Sequence, residues 1–100
     1  MVFYTPNENE VILRFDRNTR ILNGYENGVH DYETQVKGKI DPRKRFAIRI
    51  SKEIEDATAS YVQGFLSDFI NTVGVQTTLD NMHIRNARLK VYNAFHDKLV

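Results

Sequence analysis

The chain has 100 residues, 41% hydrophobic and 27% charged, with a net charge of +1. That balance suits one domain. It excludes a strongly charged disordered chain and any global electrostatic pull toward nucleic acid or membrane. Cysteine is absent, which excludes a disulfide framework and thiol chemistry, and the apolar runs fall far short of a membrane span. The N-terminus Met-Val-Phe-Tyr-Thr-Pro lacks the basic and apolar regions of a secretory signal. A cytoplasmic protein is the expectation.

Thr5 to Glu10 is polar and contains Pro6, and reads as a loop, so residues 1–10 are expected to form an arm before a domain over 11–100. Val11 to Phe15 alternates like a strand, with Val11, Leu13 and Phe15 on one face. Arg20 to Leu22 reads as a short return strand after a turn, giving an N-terminal hairpin. Val29, Tyr32, Glu33, Val36 and Ile40 are spaced for one helix face, ended by Asp41-Pro42 because the residue before proline avoids helical geometry. Phe46, Ile48 and Ile50 alternate with Ala47, Arg49 and Ser51, a second strand.

The next helix has the clearest signal. Ala59, Val62, Phe65, Leu66, Phe69, Ile70 and Val73 recur at steps of three and four, and Gly74 suits the position past the last turn. Val75, Thr77 and Leu79 alternate as a third strand. Asn81 to Ile84 reads as a turn or helix start. Ala87, Val91, Phe95 and Leu99, joined by Ile84, form a last helical face. The fold class is therefore α/β: a small β-sheet with helices packed on it, in the order β(β)αβαβα. No internal repeat or low-complexity tract is visible in this pattern.

Between Gly24 and Phe95 the chain resembles the STAS-like domains, small α/β proteins related to anti-sigma factor antagonists. The residues that carry the resemblance are Glu26-Asn27-Gly28, the strand Phe46–Ile50, the pair Ser60-Tyr61, then Gly64-Phe65 and Gly74. The resemblance implies binding and regulation rather than catalysis, and it makes Ser60 the candidate phosphorylation site. The family's Asp-Ser-Ser-Gly motif is replaced here by Thr58-Ala59-Ser60-Tyr61: Ala59 stands for the first serine and Tyr61 for the glycine.

Thr58 and Ser60 hold hydroxyls where a helix begins. Such oxygens cap free helix N–H groups, and a phosphate there is favoured by the helix dipole. The plainer role is the cap. Glu53, Glu55 and Asp56 precede them as an acidic loop, which is most simply a solvated run, since they lack the spacing of a calcium loop. Tyr61 lies off the Val62–Phe65–Phe69 face. It is either an exposed partner anchor or half-buried against the first helix.

Arg43, Lys44 and Arg45 with Arg49 form a basic cluster, as do Arg85, Arg88 and Lys90. Nucleic-acid binding is the sharper reading and ordinary surface charge the simpler one. His30, His83 and His96 lack metal-site spacing, and no nucleophile or phosphate-loop motif is present. No cofactor is expected.

Three functions follow. The first is a non-enzymatic regulatory module that binds another protein through Glu53, Glu55, Asp56, Thr58, Ser60 and Tyr61. The second is a small phage or mobile-element inhibitor that blocks a host protein or nucleoprotein complex. The third is a nucleic-acid binder using Arg43 to Arg49. The strand edges at Val11–Phe15 and Val75–Leu79 offer surfaces for a homodimer.

Overall fold

The computed structural model describes residues 9–97. Along them run β1 (Glu10–Ile12), β2 (Ile21–Leu22), α1 (Tyr25–Gln35), β3 (Phe46–Arg49), β4 (Asp56–Ala57), α2 (Ala59–Val73), α3 (Val75–Asn81), β5 (Met82–Arg85) and α4 (Leu89–Asp97). The chain is a small α/β domain with parallel strands. Of the segment expected as an arm, Asn9 and Glu10 belong to the domain: Asn9 O accepts from Ala47 N at 2.9 Å, and Glu10 opens β1. Residues 1–8 of that expectation lie outside the described residues.

Among the described residues, β1, β3 and β5 form a sheet in that order, every pair parallel. Alternation along parallel strands puts Val11, Ile48 and Ile84 in one cross-strand row, all buried. The opposite face carries Arg49 and Arg85 in register with Ile12, which is 54% exposed. Leu13 continues the β1 path by donating to Arg49 O at 3.0 Å. At Arg14 the side chain of Gln35 takes over as a substitute strand. Arg14 N donates to Gln35 Oε1 at 2.7 Å, and Gln35 Nε2 donates to Arg14 O at 2.9 Å. The edge of β1 is thus blunted just past its end, as edge strands require.

Four expectations need correction. The return strand at Arg20–Leu22 makes no hairpin with β1. β2 instead pairs in parallel with β4, Ile21 opposite Asp56 and Leu22 opposite Ala57. The acidic loop therefore ends in a strand, and Ile54 inside it is buried. Second, α1 ends at Gln35 and not at Pro42, since a turn through residues 36–39 intervenes.

Third, Val75–Leu79 is helical. Thr78 Oγ1 donates to Gly74 O at 2.7 Å and Gln76 Nε2 to Asp80 Oδ1 at 2.9 Å, both four-residue helical steps. Thr78 is the buried residue, while Val75 is 39% exposed and Leu79 only partly buried, so the apparent alternation had no fully buried face behind it. Fourth, the third strand is Met82–Arg85, with Met82 and Ile84 inward and His83 outward. Ile84 accordingly leaves the last helix, which keeps Val91, Ala94 and Phe95 in the core. Leu99 lies outside the described residues.

The core forms where α1 and α2 cross. A β-carbon placed on Gly28 would stand 2.2 Å from Tyr61 O, and one on Gly64 would stand 2.2 Å from Tyr25 O. Only glycine at both positions lets the two backbones come this close. Reciprocal side-chain pairs flank the crossing. Tyr61 Oη donates to Asp31 Oδ2 at 2.6 Å, and Tyr32 Oη donates to Asp68 Oδ2. Burial is the main cause that pushes both phenols above the ordinary tyrosine pKa, with the facing carboxylates adding to it.

β1–β2–α1 and β3–β4–α2 therefore follow one strand–strand–helix path, laid strand on strand and helix on helix. The same 36-residue step separates Tyr25 from Tyr61, Gly28 from Gly64 and Tyr32 from Asp68. A short Tyr-x-x-Gly repeat is present after all.

Candidate functional site

Because β2 and β4 are parallel and adjacent, the helices that follow them start side by side. Thr58, in extended conformation, is the cap of α2, and its Oγ1 accepts from Tyr61 N at 3.2 Å. The same oxygen accepts from Gly24 N, which precedes α1, at 3.3 Å. One hydroxyl thus serves both helix starts. Ser60 stands beside it, with its Oγ 3.2 Å from Thr58 Oγ1, and is exposed. Ser60 precedes Gly64 by one turn, which puts it on the stripe of α2 that faces α1.

The capping role therefore belongs to Thr58, and Ser60 is an exposed hydroxyl hydrogen-bonded to the cap rather than a cap itself. Thr58→Ala should cost about 0.5–2 kcal/mol in a urea melt, while Ser60→Ala should stay within about 0.5 kcal/mol of the parent. Equal costs for the two would contradict this assignment.

The other expected residues divide. Glu53 and Glu55 are exposed. Glu53 N donates to Ser51 Oγ at 3.2 Å, and Glu55 N ties to Arg20 O at 2.7 Å. Asp56 turns partly inward. Its Oδ1 accepts from Ala57 N at 2.8 Å, and its Oδ2 lies 3.5 Å from Lys90 Nζ on α4. The acidic run is thus two solvent-facing carboxylates and one that anchors α4.

Tyr61 is not an exposed anchor. It is 1% exposed, stacked on Phe65 with ring centroids 6.0 Å apart, and tied to Asp31. Its counterpart one repeat earlier, Tyr25, is 50% exposed at the start of α1. Tyr25 is the aromatic side chain that the helix starts present to solvent. The 36-residue correspondence with Tyr61 was the signal for it. Beside these starts lies a cleft of about 460 Å³, lined in part by Arg14, Asn23, Asn27, His30, Asp31 and Tyr61.

The basic residues do not form one cluster. Arg43, Lys44 and Arg45 are exposed in a loop held by Asn9, whose Nδ2 donates to Asp41 O and Arg45 O at 2.8 and 2.9 Å. Arg43 lies 4.0 Å from Asp41. Arg49 sits at the far end of β3 and is paired with Glu10, Nε to Oε2 at 3.2 Å. His30, His83 and His96 fall on α1, β5 and α4. Among the described residues no group of three metal-ligating side chains comes together, and no helix is long and apolar enough to cross a membrane. Comparison with protein-family models, with curated proteins and with solved structures returned no match.

Proposed function

We propose that this chain is a non-enzymatic regulatory module that binds another protein through the paired starts of α1 and α2. One observation carries the reading: Thr58 Oγ1 joins Gly24 N and Tyr61 N, with the exposed hydroxyl of Ser60 3.2 Å away. Each helix start is the positive end of a dipole, so two of them together favour an acidic or phosphorylated group. Tyr25 supplies an exposed aromatic surface next to them, and the exposed carboxylates of Glu53 and Glu55, in the loop before β4, suit a basic group elsewhere on the same partner. The resemblance to STAS-like domains points the same way. In this reading Ser60 is the position where added charge switches the surface.

The test uses a partner captured from native extract, titrated against the parent, Ser60→Ala, Ser60→Asp and Asn71→Asp. Asn71 is exposed near the other end of α2 and serves as the control. Ser60→Asp should raise stability by about 0.3–1 kcal/mol, because the new carboxylate meets the positive helix end. It should also change partner affinity by about tenfold or more, the size of one charge-assisted hydrogen bond made or broken. Ser60→Ala and Asn71→Asp should bind like the parent. Equal affinity across all four forms would remove the switch and the surface with it.

A further inference from the structure

The last turn of α4 holds an unsatisfied nitrogen. His96 Nε2 is buried and has no hydrogen-bond partner among the described residues. Its ring lies against Tyr92, with centroids 4.5 Å apart. The end of a helix ordinarily favours a protonated histidine. Here burial outweighs that preference and holds the imidazole below its ordinary pKa; Asp97 opposes the shift and His83 on β5 adds to it. The titratable groups around the ring are therefore His83 on β5 and Tyr92 and Asp97 on α4. On β4, Asp56 is taken up by Lys90, and on α2 the contact to α4 is the apolar edge of Phe65 against Phe95.

We propose that α4 is a proton-operated latch, in which protonation of His96 frees the last turn of the helix from its seat against β4 and β5. A neutral imidazole tolerates one ring nitrogen shut off from water better than an imidazolium does. An imidazolium must place both N–H groups on acceptors or water. Among the described residues no acceptor meets Nε2, so a proton added there draws the ring, and the turn that carries it, toward water. The latch lies over Asp56-Ala57, the strand that leads into Thr58, so opening it exposes the path to the helix starts. The proposal stands on the seating of α4 and does not depend on the partner-binding reading.

The direction follows from linkage. In the open helix His96 binds its proton near the ordinary value of 6.5, and in the closed helix less readily. Closure is therefore complete above that pH and is lost as the pH falls below it.

Amide hydrogen exchange, corrected for intrinsic rates, reads the latch. Between about pH 8 and about pH 5.5, protection at Val91, Ala94 and Phe95 should fall by up to about tenfold relative to Tyr61 and Phe65, the limit that one proton sets about one pH unit below the ordinary histidine pKa. His96→Phe keeps a ring against Tyr92 and removes the titration, so its α4 protection should stay flat. A fall in the parent no greater than that of α2, or an equal fall in His96→Phe, would overturn the latch. NMR titration of the parent supplies a check that needs no variant: His96 should titrate below the ordinary histidine value, and titration at or above that value would also overturn the proposal.

Discussion

Gly64→Ala should destabilise the domain by about 3 kcal/mol or more, although alanine is the better helix former. Propensity alone favours the change by about 1 kcal/mol. The added β-carbon would stand 2.2 Å from Tyr25 O and 2.9 Å from Tyr25 C, which are backbone atoms that no rotamer change removes. The helices must move apart, and the Tyr61–Asp31 and Tyr32–Asp68 pairs that flank the crossing are strained with them. Overpacking of this kind costs about 1–3 kcal/mol when side chains give way, and more when backbone must. A urea melt measures it as a lower midpoint with an unchanged slope. Gln63→Ala, exposed one residue earlier, should stay within about 0.5 kcal/mol. A Gly64→Ala variant as stable as the parent would show that α1 and α2 do not cross there.

The second large effect belongs to Phe65. It is fully buried and joins three elements through its ring: Tyr32 of α1 at 6.3 Å, Tyr61 of α2 at 6.0 Å and Phe95 of α4 at 5.8 Å between centroids. Phe65→Ala should cost about 3–5 kcal/mol from lost transfer energy and the cavity left behind. In a domain of this size that lowers Tm by roughly 12 °C or more. Phe65→Leu should restore part of the loss. A melt unchanged by the alanine variant would place Phe65 outside the core.

What the sequence made legible was the apolar rhythm. α2 carries it over four turns, and Phe65, Leu66 and Phe69 are buried where the spacing put them. Val11, Leu13, Phe46, Ile48 and Ile50 are buried as expected, although Ala47, expected on the other face, is buried too. The errors came from segments whose rhythm was short or misleading. β2 and β4 have two residues each, too few for any period to appear. Val75, Thr77 and Leu79 alternate, but side-chain bonds at helical steps decide the conformation.

Of the two readings of Tyr61, packing against the first helix is the one that holds, with fuller burial than expected. A position off one apolar face of α2 becomes interior once Gly28 lets α1 approach, and helical spacing alone carries no information about a second helix. Thr58 and Ser60 were legible as a helix start, whereas the role of Gly24 was not, because it depends on β2 lying beside β4.

The reading of the paired helix starts rests on α1 and α2 running side by side in this register. The most direct measurement is a nuclear Overhauser contact between the Gly28 α-protons and the Phe65 amide. The β-position of Gly28 lies 2.7 Å from Phe65 N. A strong cross-peak is expected there, with a reciprocal contact between the Gly64 α-protons and Tyr25. Gly28 contacts confined to its own helix would contradict this register.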